Sequence, residues 1–209
     1  MSRSASVTLT DEQRAAGKAI EDAIKRGESF ALHGLAGTGK TTVAAHIAAS
    51  RPGAYLCALT AKAASVLRSK TGLEATTVHS AFYQFVRSIE REGEPPRLEF
   101  RPAHLPGSLK RQVLILDECS MISAKEAADI LATGITVIAI GDPGQLPPIS
   151  GEPFFTTASF TLEQIHRQAL ASPIIRQAHA VRQNGDYAAD GTRFASSTGG
   201  LPMTCAPPT

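Results

Sequence analysis

Residues 30–42 read Phe30-Ala31-Leu32-His33-Gly34-Leu35-Ala36-Gly37-Thr38-Gly39-Lys40-Thr41-Thr42. Phe30 to His33 is short and mainly apolar, as a buried strand would be, and it runs into a glycine-rich turn. Thr41 to Ala49 then reads as a helix, closed off by Pro52 and Gly53. The turn fits G-x-x-x-x-G-K-[ST] at every fixed position. Glycines at these places let the backbone wind tightly, so that its N–H groups point inward at phosphate oxygens. The helix that follows adds the positive end of its dipole. Lys40 suits the β- and γ-phosphates, and the Thr41 hydroxyl suits a Mg²⁺ ion. Gly34, Ala36, Gly37, Thr38, Gly39, Lys40, Thr41 and Thr42 are therefore candidate nucleotide-binding residues. A glycine-rich turn that binds nothing is the plain alternative, and the strand before and helix after argue against it.

A second stretch supports the first. Gln112 to Leu116 is nearly all apolar, as a strand buried on both faces would be, and it ends in Asp117-Glu118. A carboxylate at the end of a buried strand is unfavourable unless a cation or hydrogen bonds meet it. Asp117 is the candidate Mg²⁺ ligand beside Thr41, and Glu118 the candidate general base for the attacking water. The alternative is an acidic helix cap at the sheet edge. A third stretch, Gly141-Asp142-Pro143-Gly144-Gln145-Leu146-Pro147-Pro148, follows the apolar run Thr136 to Ile140. The carboxyl ends of parallel strands form the ligand-binding edge of such a sheet. Gln145 there would feel the γ-phosphate. Turn chemistry explains every residue of this stretch except the placement of Gln145.

Around these stretches the chain alternates between the two periods. Thr10 opens a helix with Asp11 and Glu12 in its first turn and Gly27 at its end. Ala54 to Leu59 reads as a strand, Ala61 to Ser69 as a helix, and Val78 to Arg91 as another helix. Ser123 and Glu126 form a capping-box pair at the start of a helix that Gly134 terminates. Ser172-Pro173 starts a last helix, which Asn184-Gly185 ends. Strands alternating with helices predict an α/β fold, a parallel sheet with helices on both faces. Glu92 to Lys110, with four prolines and mixed charge, reads as an inserted excursion, and residues 186–209, poor in large apolar side chains, as a poorly ordered tail.

Bulk properties narrow the class. The 209 residues, 43% hydrophobic and 19% charged, give one ordinary globular core. A net charge of +2 does not by itself argue for nucleic acid or membrane. No apolar run approaches the roughly 20 residues that span a bilayer. Residues 1–10 lack a hydrophobic signal region, so a cytoplasmic location and no membrane partner are expected. Cys57, Cys119 and Cys205 form no C-x-x-C pair, so neither a disulfide framework nor a zinc site is expected.

The three stretches together resemble the superfamily-one DNA helicases, RecD-like enzymes above all, whose motors are AAA-type ATPase domains. Asp117-Glu118-Cys119-Ser120 resembles their motif II, and Gly141 to Pro148 their motif III. The resemblance implies a RecA-like P-loop NTPase fold, with ATP and Mg²⁺ as cofactors and single-stranded DNA as partner. Leu9-Thr10-Asp11-Glu12-Gln13 resembles the Q motif, which implies that Gln13 reads adenine, although Gln13 also completes a capping box with Thr10. Leu59 to Ala64 resembles motif Ia and Thr76 to Ser80 motif Ib, which implies DNA contacts from Thr60, Lys62, Thr77 and His79. Between Ala61 and Arg111 nine Lys or Arg stand against five Glu, a local excess that suits phosphates. Solvated helix charges and a packed His79 are the alternatives.

Leu162 to Gln168 resembles motif IV, which implies that Arg167 approaches the γ-phosphate; pairing with Glu163 at helical spacing is the alternative. The excursion at 92–110 matches the place of a strand-splitting pin, with Arg97 to Arg101 as a two-faced strand and Leu98 or Phe100 as wedge, or else a plain surface loop. The expected layout is a motor domain over 1–170, the start of a second domain over 171–185, and a tail. Motifs V and VI are not found after Gly185. The expected function is an ATP-hydrolysing helicase motor domain, incomplete alone, working with a separate second motor domain or other replication or recombination proteins. The alternative is a nucleotide-dependent DNA- or protein-binding module. A GTPase is disfavoured, since no guanine-reading N-K-x-D run occurs.

Overall fold

The computed structural model describes residues 9–89, 93, 97–103, 112–142 and 144–165. Arg167, the expected helix from Ser172 and the expected tail lie outside them.

Helix α1, Asp11–Arg26, opens on the predicted capping box and closes at Gly27. Thr10 Oγ1 accepts from the Gln13 backbone N–H at 3.3 Å, and Gln13 Oε1 accepts from the Thr10 N–H at 3.1 Å. Strand β1, Phe30–Gly34, is buried throughout and leads into α2, Lys40–Ala49. Strand β2, Tyr55–Ala58, is followed by α3, Ala61–Thr71, whose N-cap is Thr60. A short strand β3, Thr76–Thr77, leads into α4, Val78–Phe82. Strands β4, Tyr83–Ile89, and β5, Arg97–Pro102, pair antiparallel as a separate hairpin. Strand β6, Val113–Asp117, precedes a single 3-10 turn, Cys119–Met121, and α5, Ala124–Leu131, with its Ser123–Glu126 capping box formed. Strands β7, Thr136–Gly141, and β8, Phe160–Leu162, complete the described elements.

The main sheet has the order β3-β2-β6-β7-β1-β8, and every pairing in it is parallel. Successive side chains of a strand point to opposite faces, so β6 feeds two cores. Ile115 joins Ile20, Leu32, Ile47, Leu67 and Ile138 on one face, beneath α1, α2 and α3. Leu114 and Leu116 join Val78, Phe82, Ile122, Ile130 and Val137 on the other. This is the predicted α/β architecture, with the RecA-like arrangement that the motifs imply.

One predicted element is corrected. The helix expected over 78–91 ends at Phe82, and Tyr83–Ile89 is strand. Apolar residues at 78, 81, 82, 85 and 89 mimic a helical period. The strand's own alternation is masked by an irregularity in the pairing between Phe85 and Arg87. The partner that decides the matter, Arg97–Pro102, is distant in sequence. It sets Phe85 opposite Phe100 and lets Arg87 Nε donate to Glu99 Oε2 at 2.6 Å. The excursion from the α/β alternation thus begins at Tyr83, not at Glu92. The expected strand over 97–101 is present within β5.

Candidate functional site

In the sheet order, β7 separates β1 from β6. His33 pairs with Gly141, and Asp117 with Ile140, so these three strands end almost level. The phosphate-type loop, the Asp117-Glu118 pair and the loop bearing Gln145 therefore emerge side by side.

They enclose a cleft of about 780 Å³, within the usual range for small-molecule sites. Ala36, Gly37, Gly39, Lys40, Thr41, Thr42, Asp117, Glu118 and Gln145 all line it. Gly37 and Gly39 have φ of 87° and 84°, the left-handed region that side chains avoid. Gly34 is required for a different reason. A Cβ there would meet Thr38 Oγ1 at 2.7 Å and the Leu162 carbonyl at 3.0 Å. Lys40 Nζ lies over the loop and donates to the carbonyls of Gly34 and Leu35 at 2.6 and 3.0 Å.

Gly34, Thr38 and Gln13 stand behind the loop rather than in its lining. Thr38 and Gln13 are buried, and Thr38 Oγ1 donates to Leu35 O at 2.9 Å. Gln13 Nε2 donates to the Thr38 carbonyl at 3.1 Å. The amide of Gln13 thus braces the loop with its nitrogen while its oxygen caps α1.

Burial raises the pKa of Asp117, opposed by a hydrogen bond from the Glu118 N–H at 3.0 Å and by the charges of Lys40 and Lys70. Burial also raises that of Glu118, the nearby Asp117 charge adds to it, and a hydrogen bond with the Gln145 side chain opposes it. Glu118 has φ of 57°, and among the described residues it is the one non-glycine with positive φ. That conformation costs on the order of 1 kcal/mol or more and is typical of functional positions. Thr41 and Asp117 offer a hydroxyl and a carboxylate in one cleft, the hard oxygen donors that Mg²⁺ prefers. Among the described residues no group of three or more His, Cys, Asp or Glu forms a metal cage. Magnesium ordinarily uses one or two protein ligands together with substrate phosphates, so the residues present fit it.

Several contributors were missed by sequence reasoning. Asp142, buried at 1% exposure, accepts from the Gly144 N–H at 3.0 Å, and its carbonyl accepts from the Gln145 N–H at 3.0 Å. This turn is what aims Gln145, and the Asp-Pro-Gly run was its signal. Ala45 and Ala49 line the cleft one and two turns beyond Thr41, on a helix face that spacing alone could have named. His46, one turn beyond Thr42, lies on the same face; Leu9, Lys70 and Thr71 also line the cleft, and only packing brings them there.

A second cleft of about 410 Å³ is lined by Thr60 and Lys62 and shares Thr41, Asp117, Glu118 and Gln145 with the first. Thr60 Oγ1 caps α3, accepting from Ala63 N–H at 3.1 Å. Thr77 and His79 stand apart from both clefts. Thr77 Oγ1 caps α4 through Ser80 N–H at 3.1 Å. The His79 ring stacks on Tyr83 at 5.2 Å and meets Phe100 edge-on at 5.5 Å. Its Nε2 lies 3.8 Å from Glu126 Oε1.

A family model described as an AAA domain matches residues 8–201. The chain belongs to the AAA-domain family. This AAA domain is 33% identical over 213 residues to the ATP-dependent DNA helicase dda of Enterobacteria phage T4, covering 91% of this chain and 47% of that protein. It is 34% identical over 185 residues to the ATP-dependent RecD2 DNA helicase of Deinococcus radiodurans, covering 83% of this chain and 24% of that one. Among solved structures, Pif1 helicase from Bacteroides in complex with ADP-AlF3 and single-stranded DNA matches with a TM-score of 0.58 at 23% identity, over 85% of this chain and 47% of that one. The AAA domain therefore spans about half the length of dda and about a quarter of RecD2. Its similarity to these two ATP-dependent DNA helicases agrees with the resemblance that its motifs carry.

Proposed function

We propose that the chain binds and hydrolyses ATP as one motor domain of a DNA helicase, and that single-stranded DNA runs past the Thr60–Lys62 cleft. The observation that carries this reading is the convergence of Lys40, Thr41, Asp117, Glu118 and Gln145 on one cleft at adjacent strand ends. Backbone N–H groups of residues 36–42 cradle the phosphates. Lys40 leaves the carbonyls of Gly34 and Leu35 for the β- and γ-phosphate oxygens. Thr41 and Asp117 hold Mg²⁺, which neutralises charge on the phosphate oxygens when bound. Glu118 takes a proton from the attacking water, whose oxygen bonds to the γ-phosphorus as the bond to the bridging oxygen breaks. A raised pKa keeps the Glu118 carboxylate a better base than an exposed one. Gln145, hydrogen-bonded to Glu118, orients that base and registers the γ-phosphate. Gln13 serves the site through the loop it braces: its amide nitrogen donates to the Thr38 carbonyl, its oxygen accepts from the Thr10 N–H, and it lies outside the cleft's lining.

The shared walls of the two clefts support coupling between nucleotide and strand. A Lys62 contact with DNA phosphates would act across Asp117, Glu118 and Gln145. The relatives dda and RecD2 are named as ATP-dependent DNA helicases, and the Pif1 structure holds both a nucleotide analogue and single-stranded DNA. Translocation and unwinding need a second motor domain closing on the same nucleotide. Arg167 is the candidate for reaching the γ-phosphate from the chain beyond the described residues, and replication or recombination proteins are candidate partners.

The test is ATP binding and turnover with and without single-stranded DNA. Turnover is expected to be slow and to rise several-fold with DNA. Lys40→Ala should weaken nucleotide binding by about 10- to 100-fold, the loss of charge-assisted bonds. Glu118→Gln should keep ATP bound and cut turnover by about 10²–10⁴-fold. Binding without any DNA response would favour a nucleotide-dependent binding module instead. Normal affinity in Lys40→Ala would defeat the site altogether.

A further inference from the structure

Glu12 makes contacts that neither capping nor nucleotide chemistry uses. Its Oε1 accepts from the Glu163 backbone N–H at 2.8 Å, and its Oε2 from the Gln164 N–H at 3.1 Å. Both oxygens of one carboxylate are thus spent on successive main-chain amides more than 150 residues away. Bonds to an ionised acceptor are about twice as strong as neutral ones. The neighbouring Gln13 reaches the other way, to the Thr38 carbonyl inside the phosphate-type loop. The Thr10–Gln13 capping box fixes both residues on one rigid turn.

The segment that Glu12 holds already touches that loop. Leu162 pairs with Gly34 in the β1–β8 ladder, and its carbonyl lies where a Gly34 Cβ would come within 3.0 Å. Residues 160–164 are therefore gripped twice, once by the strand that carries the loop and once by the turn that braces it. An acidic residue whose only task was to complement the helix dipole would need neither contact.

We propose that Glu12 is a positioning residue that couples the nucleotide loop to the chain leaving the motor core, by holding the Glu163 and Gln164 amides while Gln13 holds the Thr38 carbonyl. This rests on the nucleotide reading of the cleft. When phosphates draw the loop's amides inward, the Thr38 carbonyl shifts, Gln13 follows, and the α1 turn carries Glu12 with it. The chain beyond residue 165 then receives the nucleotide state through two hydrogen bonds.

Amide hydrogen exchange at Glu163 and Gln164 tests this on the full chain, with and without ADP and Mg²⁺. In the wild type both amides should exchange about tenfold more slowly than in Glu12→Ala. Saturating ADP with Mg²⁺ should change their exchange by about threefold or more in the wild type and leave it unchanged in Glu12→Ala. ADP affinity of that variant should stay within about twofold of wild type. Glu12→Asp, one methylene shorter, should lose the same nucleotide response and serves if Glu12→Ala does not fold. Equal exchange in wild type and variant, or a nucleotide response that persists in both variants, overturns the proposal. Calorimetric ADP binding tells the two failures apart. No uptake by the wild type defeats the nucleotide reading, whereas uptake with no response at these amides defeats the coupling alone.

Discussion

Asp117 ends a strand whose four preceding residues are buried, so its carboxylate enters the fold at the expense of hydration. Glu118, beside it, meets the same burial and the Asp117 charge. Both are raised from ordinary values of 3.8 and 4.5. The folded chain therefore holds these protons more tightly than the unfolded chain does. Stability from this source is fully present below those ordinary values and is lost as pH rises through the higher folded ones. Without metal, burial disfavours the ionised form of both carboxylates in the folded state. Asp117→Asn and Glu118→Gln should then melt a few degrees above wild type at pH 7 in chelator. The gap should narrow as pH falls towards 4 and the wild-type carboxylates take up protons. Thermal melts across pH 4–8 would read it, and variants less stable than wild type at pH 7 would mean that the Glu118 N–H bond to Asp117 outweighs burial. The identity of these residues was legible, because a carboxylate pair closing an apolar run is an anomaly that composition cannot hide. The left-handed backbone of Glu118 and the Asp142 turn that aims Gln145 were not, since both depend on what packs around them.

The β4–β5 hairpin shows where element-scale reading fails. Local sequence from Val78 to Ile89 carries a helical period, while the strand is stabilised by a partner across a stretch of prolines and charge. Strands β3 and β8, at two and three residues, are too short to leave a periodic signal at all. By contrast α1 and α5 were legible to the residue at their N-termini, because capping boxes are local. The hairpin is joined to the core near Tyr83, whose hydroxyl donates to Asp129 Oδ2 on α5 at 2.8 Å. Burial, followed by that carboxylate, raises the pKa of the tyrosine, so the donor stays protonated throughout the neutral range. Tyr83→Phe deletes the bond and keeps the ring that stacks on His79. The expected loss is about 1 kcal/mol. It should appear as faster proteolysis within 83–103 with unchanged nucleotide affinity. A matching loss of nucleotide affinity would mean that the hairpin and the cleft share one cooperative unit.

At the scale of the molecule, alternation of strand and helix predicted a parallel sheet but not its order. That β7 lies between β1 and β6 is a matter of crossover connections, which no local pattern reports. The order has an energetic consequence. The three strands that end at the cleft are neighbours in the sheet; β6 and β7 supply residues to both hydrophobic cores and β1 to one. A ligand spanning Lys40, Asp117 and Gln145 therefore binds an arrangement that exists only when both cores are formed. Such a ligand stabilises by RT ln(1 + [L]/Kd), about 2.7 kcal/mol at one hundred times Kd. For a chain of this size that corresponds to roughly 5–10 °C in melting temperature. ADP with Mg²⁺ should shift the main thermal transition by this amount, as a single step, and at the same ligand concentration should shift that of Lys40→Ala by at most about half as much, given its about 10- to 100-fold weaker binding. A shift confined to a minor early transition would place the loop in a separately melting unit. The three strands would then not be what holds the site together.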